Sequence, residues 1–463
     1  MINRLAIEER VREWGLREDV VEKDYVLGWV LWGIGAHPSL SVSWAFKGGT
    51  CLKKCYIETY RFSEDLDFTV LPGGPILQAD LDPIFRELLQ NVANESGIVF
   101  SGRPPLFTTH PSGNYTEGRI YYQGPRNAPH VASIRLDLSV SEKMARPTVL
   151  RSIAHTFPDQ LPPPQTVRCY SFEELFAEKL RAMGERSRPR DLYDIVNLYW
   201  RTDLRSHPEI IRTVLEEKCR SKNVPMPTAA TIMREDIRTQ TEADWSNMLA
   251  HQLQALPPFA HFWDELPDLF DWLNGRAPTA TLKAIPRGTD EETTELWSPP
   301  PTVWVWGASV PLETIRFAAA NHLCINLGYQ DTKRIIEPYS LRQTREGNLI
   351  LYAIKVDSRE TRSYRVDRIQ SIEVTMQPFT PAFLVEFSGA GPIEVSPSTV
   401  GSMTRPRQGA RHGGNGIVYI LECSHCGKRF KRTTQGTSLN PHNDTSGYRC
   451  SGRTGHLVNK QLD

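Results

Sequence analysis

The sequence predicts an α+β protein in which one large N-terminal domain precedes two small β-rich modules. Strand-like alternation occurs beside helical periodicity in residues 1–276, the predicted large domain with a helical extension. Two stretches rich in proline and in glycine or charged residues, 277–311 and 388–416, are predicted to be linkers. The small modules are then 312–387 and 417–463. A chain of 463 residues fits two or three domains.

A turn of two glycines joins the first predicted strand to a helix. Residues 41–47 alternate around apolar side chains, as a short strand does. Gly48 and Gly49 allow the backbone to turn sharply and to approach a ligand closely. Thr50 is predicted to cap a helix over residues 52–57, whose free N–H groups and dipole favour a phosphate.

A second predicted strand, at 65–70, carries two aspartates. Because successive side chains of a strand alternate, Asp65 and Asp67 share one face while Leu66 and Phe68 point towards the core. Carboxylate oxygens on one face suit Mg²⁺, which also keeps waters and substrate phosphates as ligands.

A third carboxylate is expected from a later strand. Residues 132–140 alternate, and Asp137 lies opposite their apolar side chains. In a nucleotidyl transfer, Asp137 would orient or deprotonate the attacking hydroxyl while metal ions neutralise the triphosphate. A solvated aspartate on an edge strand is the alternative interpretation.

Two predicted helices carry further candidate groups. Ser171 and Glu174 have the spacing of a capping box, which marks the start of the first helix. Lys179 lies at the margin of the apolar stripe, where it can reach a triphosphate as a point charge. The next helix carries Asp191 and Asp194 three residues apart on one face. Taken singly, Lys179 and Asp191 also fit an ordinary solvated helix face.

Together these motifs resemble the AbiEii/AbiGii-type nucleotidyltransferase toxins, a branch of the polymerase-β-like nucleotidyltransferase superfamily. The resemblance covers residues 44–70 and 171–197, and every motif position is filled, which argues against an inactive enzyme. The matching segments are KGGT at 47–50, RFSEDLDF at 61–68, ELFAEK at 174–179 and RDLYD at 190–194.

The resemblance implies a minimal nucleotidyltransferase core that uses an NTP as substrate and Mg²⁺ as cofactor. The resemblance implies Asp65 and Asp67 as catalytic Mg²⁺ ligands and Lys179 and Asp191 as further catalytic residues. Asp137, which lies outside the matching segments, is expected from the strand pattern to be the third catalytic carboxylate and Mg²⁺ ligand. The implied nucleotide contacts are Lys47, Gly48, Gly49, Thr50, Ser63 and Lys179.

Members of this family act as toxins in toxin–antitoxin or phage-defence systems, and some add nucleotides to the 3′ end of transfer RNA. The resulting hypothesis is a transfer of NMP to a hydroxyl, with RNA as the expected acceptor and an antitoxin protein as an expected partner. A protein hydroxyl of serine, threonine or tyrosine is an alternative acceptor. A nucleic-acid-binding regulator with a vestigial transferase is the other alternative.

The first small module is similar to WYL domains. Residues 312–327 have helical spacing, and the similarity lies within 337–369. Three strands are predicted, at 334–342, 348–355 and 362–366. The similarity implies a small SH3-like barrel that senses nucleic acid or a nucleotide-type ligand, with Arg365 and Arg368 as contacts. The tripeptide that names the family is not present as such, and a structural function of these arginines is the alternative.

The second small module is predicted to be a zinc ribbon. Cys423 and Cys426 have the C-x₂-C spacing of a Zn²⁺ knuckle, and Cys450 follows after a loop. His456 is the preferred fourth ligand, because a glycine-containing hairpin separates it from Cys450. The competing candidates for this position are His425 and His442. A disulfide is the alternative to zinc, and reducing conditions inside a cell disfavour it.

Basic residues are concentrated near the C-terminus. The formal net charge is zero, but the residues from 401 onward contain ten Lys or Arg and three acidic residues. The formal net charge of residues 401–463 is therefore +7, and that of residues 1–400 is −7. Such a basic tail suggests contact with nucleic acid. Lys428 and Arg429, beside the Zn²⁺ knuckle, are the candidate contacts. A solvated basic surface is the alternative.

The sequence predicts a cytoplasmic protein without a membrane segment. The longest apolar run, 25–36, is too short to span a bilayer, and the first residues lack a signal-peptide pattern. Cys51 and Cys55 are therefore expected to stay reduced and to pack in the core.

Overall fold

The structure, a computed structural model, divides the chain into two compact units, Met1–Pro397 and Ser398–Asp463. It describes residues 2–57, 59–204, 207–276, 282–286, 295–296, 312–344, 348–386, 394–395, 417–432, 437, 439, 442–443, 449–452 and 454–462. The helices are α1 (Arg4–Trp14), α2 (Glu18–Ala36), α3 (Leu40–Ser43), α4 (Gly48–Cys55), α5 (Gln78–Ser96), α6 (Phe172–Arg186), α7 (Pro189–Trp200), α8 (Pro208–Lys222), α9 (Ala229–Ile232), α10 (Glu235–Leu249), α11 (Phe259–Trp263), α12 (Leu266–Leu273) and α13 (Leu312–Ala320). The strands are β1 (Trp44–Lys47), β2 (Asp65–Val70), β3 (Leu106–Thr109), β4 (Tyr115–Tyr122), β5 (Ala132–Ser139), β6 (Val149–Ser152), β7 (Thr166–Cys169), β8 (Glu295–Leu296), β9 (Leu323–Tyr329), β10 (Thr332–Gln343), β11 (Leu349–Lys355), β12 (Thr361–Arg365), β13 (Ile369–Pro378), β14 (Glu394–Val395), β15 (Ile417–Cys423), β16 (Arg429–Arg432), β17 (His442–Asn443), β18 (Arg449–Cys450) and β19 (Gly455–Leu462).

Eight of the described strands form one mixed sheet in the first unit, in the order β14, β6, β7, β1, β2, β5, β4, β3. β1 runs antiparallel to β2, and β2 runs parallel to β5. This register places Lys47 beside Asp67, and Asp67 beside Asp137. The strands predicted at 65–70 and 132–140 are confirmed as β2 and β5.

α2 and α5 lie on one face of this sheet, and the three aspartates point to the other face. α2 contacts α5 and β7, and a Cβ on Gly35 would lie 2.1 Å from the carbonyl oxygen of Thr166. On α5, the ring of Phe85 packs on Phe107 of β3, with 4.9 Å between centroids. The apolar run 25–36 is therefore part of a core helix, and no described helix has the length and hydropathy needed to cross a membrane.

Two boundaries near the glycine turn differ from the prediction. Leu40–Ser43 is a helical turn, so β1 begins only at Trp44. α4 begins at Gly48, so Thr50 lies inside the helix instead of capping it. The Thr50 hydroxyl donates a hydrogen bond to the carbonyl oxygen of Asp65 at 2.5 Å, which ties α4 to β2.

The predicted start of α6 is confirmed. Ser171 is the N-cap, and its hydroxyl accepts a hydrogen bond from the Glu174 amide at 3.2 Å. The Glu174 carboxylate does not complete a reciprocal capping box. It accepts hydrogen bonds from the amides of Ala145 and Arg146, and Lys218 Nζ lies 2.6 Å from it.

A second described sheet has the order β12, β11, β10, β9, β13, and α13 packs against it. The strands predicted at 334–342, 348–355 and 362–366 are confirmed as β10, β11 and β12. The helix predicted over 312–327 is wrong in its second half. α13 ends at Ala320, and His322, with a φ of 50°, turns the chain into β9.

The turn after α13 contacts the helical part of the large domain. The Tyr193 hydroxyl on α7 donates to Asn321 Oδ1 at 2.9 Å, and His261 Nε2 lies 3.1 Å from the Asn321 carbonyl oxygen. The His322 ring packs on Trp200, with 4.1 Å between ring centroids. The second sheet is therefore attached directly to α7.

Most of the two predicted linkers, 277–311 and 388–416, lies outside the described residues. Within the described parts, Ile285 is buried in a core with residues of β10 and β11. Glu295–Leu296 pairs with β10, and Glu394–Val395 joins the first sheet beside β6. The domain boundaries stay a prediction.

The described strands of the second unit form a three-stranded sheet, β16–β15–β19, and a short pair, β17–β18. Its small core contains Leu421, Cys423, Leu439 and Cys450. So few apolar side chains rarely hold a fold together, and modules of this kind usually need a metal or a disulfide.

Candidate functional site

The two glycines bring α4 against the aspartates, and a side chain at either position would collide with its surroundings. Gly48 has a φ of 81°, and a Cβ there would lie 2.4 Å from Asp67 Oδ2. At Gly49, a Cβ would lie 2.8 Å from Arg61 Nη2 and 3.1 Å from Ser63 Oγ. The N-terminus of α4, with its free N–H groups, therefore lies beside the face of the sheet that carries the aspartates, and such an N-terminus favours a phosphate.

Three aspartates lie half-buried on one face of β2 and β5. Burial raises the pKa of Asp67 to about 6, with Lys47 opposing the rise and Asp137 and Asp65 adding to it. Burial also raises the pKa of Asp65, and Arg135 counteracts it. The carboxylates repel one another, so a divalent cation among them relieves an unfavourable charge.

Two neighbours hold Asp137. The Tyr115 hydroxyl donates to Asp137 Oδ1 at 2.9 Å, and Arg135 Nε donates to the same oxygen at 3.2 Å. Within the described ranges, the oxygens of Asp65, Asp67 and Asp137 do not all lie within 4.8 Å of one another. A metal ion shared by all three therefore requires these side chains to move closer together.

Lys47 is a cation fixed by acidic neighbours. Its Nζ lies 3.6 Å from Glu178 Oε1 and 4.0 Å from Glu142 Oε1, and the side chain is 13% exposed. Burial alone would lower the pKa of Lys47, but Glu178, Glu142 and Asp67 raise it overall. Lys47 therefore stays charged next to Asp67. Sequence reasoning had not identified Glu178 or Glu142.

Lys179 is anchored by a carboxylate that sequence reasoning placed on the same helix face as Asp191 but did not assign to the site. Lys179 Nζ lies 2.7 Å from Asp194 Oδ2. Arg61 donates to both oxygens of Asp194, at 2.7 and 2.8 Å, and Tyr60 donates to one of them. The sequence signals for Asp194 were its three-residue spacing from Asp191 and its position at the end of the RDLYD segment.

Asp191 is fully buried and binds a different arginine. Arg186 donates to its two oxygens at 2.7 and 2.8 Å, across the junction of α6 and α7. This geometry favours a supporting function for Asp191 over direct contact with substrate.

Cys51, Cys55 and Cys169 form a buried group of free thiols beneath α4, with sulfur atoms within 4.8 Å of one another. Burial raises the pKa of both Cys51 and Cys55. For Cys51 and Cys55, full burial as neutral thiols agrees with the predicted packing function.

The second unit gathers three thiols and one imidazole, in the combination Cys423, Cys426, His442 and Cys450. Cys423 Sγ lies 3.9 Å from Cys450 Sγ, and Cys426 Sγ lies 3.4 Å from His442 Nε2. Ligands about 2.0–2.3 Å from one tetrahedral zinc ion have mutual separations of about 3.5–3.8 Å, so these distances fit Zn²⁺.

The preferred fourth ligand, His456, does not lie with the three thiols. It lies exposed on β19, opposite Glu422 of β15. Of the competing candidates, His442 joins the thiols, whereas His425 is exposed and its Nε2 lies 3.2 Å from Ser451 Oγ. The short β17–β18 pair aligns His442 with Cys450, a long-range register that ligand spacing alone did not reveal.

Two of the four basic candidates in the small modules, Arg365 and Arg429, pair with carboxylates. Arg365 donates to Asp367 at 2.8 Å, and Arg368 is exposed in the turn after β12. Arg429 donates to Glu422 at 2.8 Å. The remaining candidate, Lys428, is half-buried.

Two family models match the chain. The model described as "Nucleotidyl transferase AbiEii toxin, Type IV TA system" matches residues 29–273, and the WYL domain model matches residues 311–374. No curated protein matches the chain.

The chain also resembles solved structures at low sequence identity, among them the following two. MenT4, a nucleotidyltransferase toxin of Mycobacterium tuberculosis H37Rv, has 19% identity and a TM-score of 0.42, over 59% of this chain and 90% of MenT4. Proteasome accessory factor B/C of Arthrobacter aurescens has 11% identity and a TM-score of 0.14, over 94% of this chain and 80% of that chain.

The family assignment rests on the first family match, which spans more than half of the chain and includes the glycine turn, all three aspartates and Lys179. The chain belongs to the AbiEii nucleotidyltransferase toxin family, with a WYL domain following the transferase region.

Proposed function

We propose that this nucleotidyltransferase transfers NMP from an NTP to a hydroxyl of RNA, with the 3′ end of transfer RNA as the favoured acceptor. The observation that carries the proposal is the register that sets Asp67 between Lys47 and Asp137 on adjacent strands. This register places carboxylates that can bind a metal beside the fixed cation of Lys47. The formal net charge of +7 in residues 401–463 supports an RNA acceptor, because a basic segment attracts nucleic acid.

Asp65 and Asp67, with Asp137, are the residues that would hold Mg²⁺. The donor set fits, because three half-buried carboxylates share one face; burial raises the pKa of Asp67, and Asp137 and Asp65 add to the rise. When bound, the ion neutralises charge on the triphosphate and polarises its phosphoryl oxygens. Thr50 is not free to bind phosphate through its hydroxyl, which is occupied by the Asp65 carbonyl. Its contribution to nucleotide binding would be through the backbone.

In the proposed reaction, the acceptor oxygen forms a bond to the α-phosphorus as the bond from that phosphorus to the bridging oxygen breaks. Pyrophosphate leaves with the electron pair of the broken bond. Asp137 accepts the proton of the acceptor hydroxyl, and Tyr115 orients the Asp137 carboxylate. Lys47 and Lys179 offset the negative charge of the triphosphate; Lys47 is held by the half-buried carboxylate of Glu178, and Lys179 by the buried carboxylate of Asp194.

The test is nucleotide incorporation by purified variants. Asp67→Asn and Asp137→Asn are each expected to lower incorporation at least about 100-fold, because a metal site contributes several kcal/mol to the transition state. Asp236→Asn is the matched control, since Asp236 is an exposed carboxylate paired with Arg234 on α10. Full incorporation by both site variants would refute the proposed residue assignments.

The acceptor is identified by labelling cell lysate with each of the four radiolabelled NTPs and digesting the products. Label that nuclease removes and protease leaves supports RNA. Label that only protease removes means that the acceptor is a protein hydroxyl, and no labelling with salt-dependent nucleic-acid binding means a regulator with a vestigial transferase.

The second unit is proposed to hold a structural Zn²⁺ through Cys423, Cys426, His442 and Cys450. Nucleic-acid binding by the WYL domain and pairing with an antitoxin protein are also proposed on the basis of family membership. Nucleic-acid binding by the second unit is proposed from its positive net charge. The cytoplasmic location stays a prediction.

A further inference from the structure

The sheet extends beyond the catalytic aspartates as a face that carries exposed polar side chains. From β5, the sheet continues through β4 to the edge strand β3. Glu117 pairs with Asp137, and Arg119 pairs with Arg135, so these β4 side chains lie on the same face as the aspartates. Tyr121 follows on that face by strand alternation.

Two features of this face suit a single-stranded nucleic acid. Arg119 is exposed and forms no ion pair within the described ranges, so its guanidinium is available for a phosphate. Arg103 lies over the ring of Tyr121, with 4.1 Å from Cζ to the ring centroid. An arginine stacked on a half-buried tyrosine offers a flat surface on which a base can stack.

Arg119 on this face lies close to Asp137, the proposed catalytic base. Arg119 lies one strand across from Asp137 and two residues along, which places their Cα atoms about 8 Å apart by ordinary strand spacings. A strand whose terminal hydroxyl lies at Asp137 therefore has its last phosphates near Arg119. Tyr115, which donates to Asp137, joins the face to the site.

We propose that the exposed face of β3, β4 and β5 binds the single-stranded 3′ end of the RNA acceptor. In this arrangement Arg119 contacts a phosphate, and Tyr121 with Arg103 stacks a base near the reacting nucleotide. The inference rests on the proposed function, since it assumes an RNA acceptor. A peptide acceptor has neither repeated phosphates nor bases to match the arginines and the stacked ring, although it can pair with the edge of β3.

The test uses the full-length protein, purified transfer RNA and an α-³²P-labelled NTP. Arg119→Glu is expected to raise the KM for RNA about tenfold or more, since a phosphate contact is replaced by repulsion. Tyr121→Ala is expected to raise it about fivefold or more through lost stacking. The KM for the NTP stays unchanged, which also reports that both variants are folded.

Arg86→Glu is the matched control. Arg86 is exposed on α5, which packs on the opposite face of the sheet through Phe85 and Phe107. This variant keeps the wild-type KM for RNA. Arg119→Lys, which keeps the charge, is expected to restore most of the RNA affinity lost in Arg119→Glu.

Two failures are distinguishable. If the wild type labels no RNA, the proposed function fails and this inference fails with it. If the wild type labels RNA and the KM for RNA is unchanged in both Arg119→Glu and Tyr121→Ala, the acceptor surface is elsewhere and only this inference is overturned. Labelling of protein that falls in Arg119→Glu also overturns it, in favour of a peptide acceptor.

Discussion

Asp194 is the fully buried carboxylate around which the basic side of the site is assembled. It accepts hydrogen bonds from both Arg61 and Tyr60 and pairs with Lys179. Burial would raise the pKa of Asp194, but Arg61 and Lys179 lower it well below its ordinary value. Asp194 therefore remains ionised at neutral pH and positions Lys179.

Replacing Asp194 by alanine leaves Arg61 buried without its carboxylate. We expect Asp194→Ala to lower the free energy of unfolding by about 3–5 kcal/mol, the usual cost of removing one partner of a buried ion pair. Urea denaturation measures the change. Asp203→Ala is the control: Asp203 is 42% exposed and pairs with Arg201, so its loss costs about 1 kcal/mol or less. Equal losses in the two variants would contradict the anchoring function.

The predicted and the unpredicted site residues differ in how far along the sequence the residues that determine their function lie. Asp65, Asp67 and Asp137 were predicted because the strand period of two assigns their face from a few neighbouring residues. The function of Asp194 depends on Arg61, which lies 133 residues away in sequence. No local pattern contains that contact.

At the scale of elements, the turn after α13 shows where local patterns become ambiguous. Residues 312–327 have apolar residues at helical spacing, but Leu323, Ile325 and Leu327 also alternate with period two. Pairing of β9 with β10 and β13 favours the strand. His322 makes the transition in a left-handed conformation and is buried against Trp200.

Burial of His322 predicts an acid-sensitive contact between the WYL domain and α7. Burial, with a small contribution from His261, lowers the pKa of His322 from 6.5 to about 3, and its Nδ1 has no hydrogen-bond partner among the described residues. The unfolded chain binds a proton below pH 6.5 while the folded chain does not. Stability is therefore lost as the pH falls from 6.5 towards 3, by about 2 kcal/mol at pH 5.

The measurement is urea denaturation at pH 7 and pH 5, for the wild type and His322→Asn. Asparagine tolerates the left-handed backbone and does not titrate. We expect the loss of stability between the two pH values to be about 2 kcal/mol smaller in the variant. The variant retains His261, whose pKa burial also lowers, so the difference isolates His322. An unchanged pH dependence would rule out His322 as its source.

At the scale of the whole molecule, the two compact units have separate apolar cores. The first unit buries large aromatic side chains such as Trp29 and Trp44, and its fold class followed from the periodicity of the sequence. Among the described residues of the second unit, the core consists of four side chains, two of which are cysteines. Its fold is therefore expected to depend on a metal, whereas that of the first unit is not.

The prediction is that zinc stabilises only the second unit, and that His442 is one of its ligands. Purified wild-type protein should contain about one zinc ion per chain, and His442→Ala should lose most of it, because a three-ligand site with an open position binds a structural metal less tightly. Zinc is measured by mass spectrometry of the metal, and folding of the second unit by amide hydrogen exchange in residues 417–463.

His456→Ala is the matched control, since His456 is exposed and opposite Glu422. It should keep its zinc and its hydrogen-exchange protection. Both variants should retain the KM for the NTP, because the nucleotide site belongs to the first unit. If His456→Ala lost zinc and His442→Ala kept it, His456 would be the fourth ligand, as the spacing in the sequence predicts. Loss in neither variant would mean that the three thiols hold the ion without either histidine.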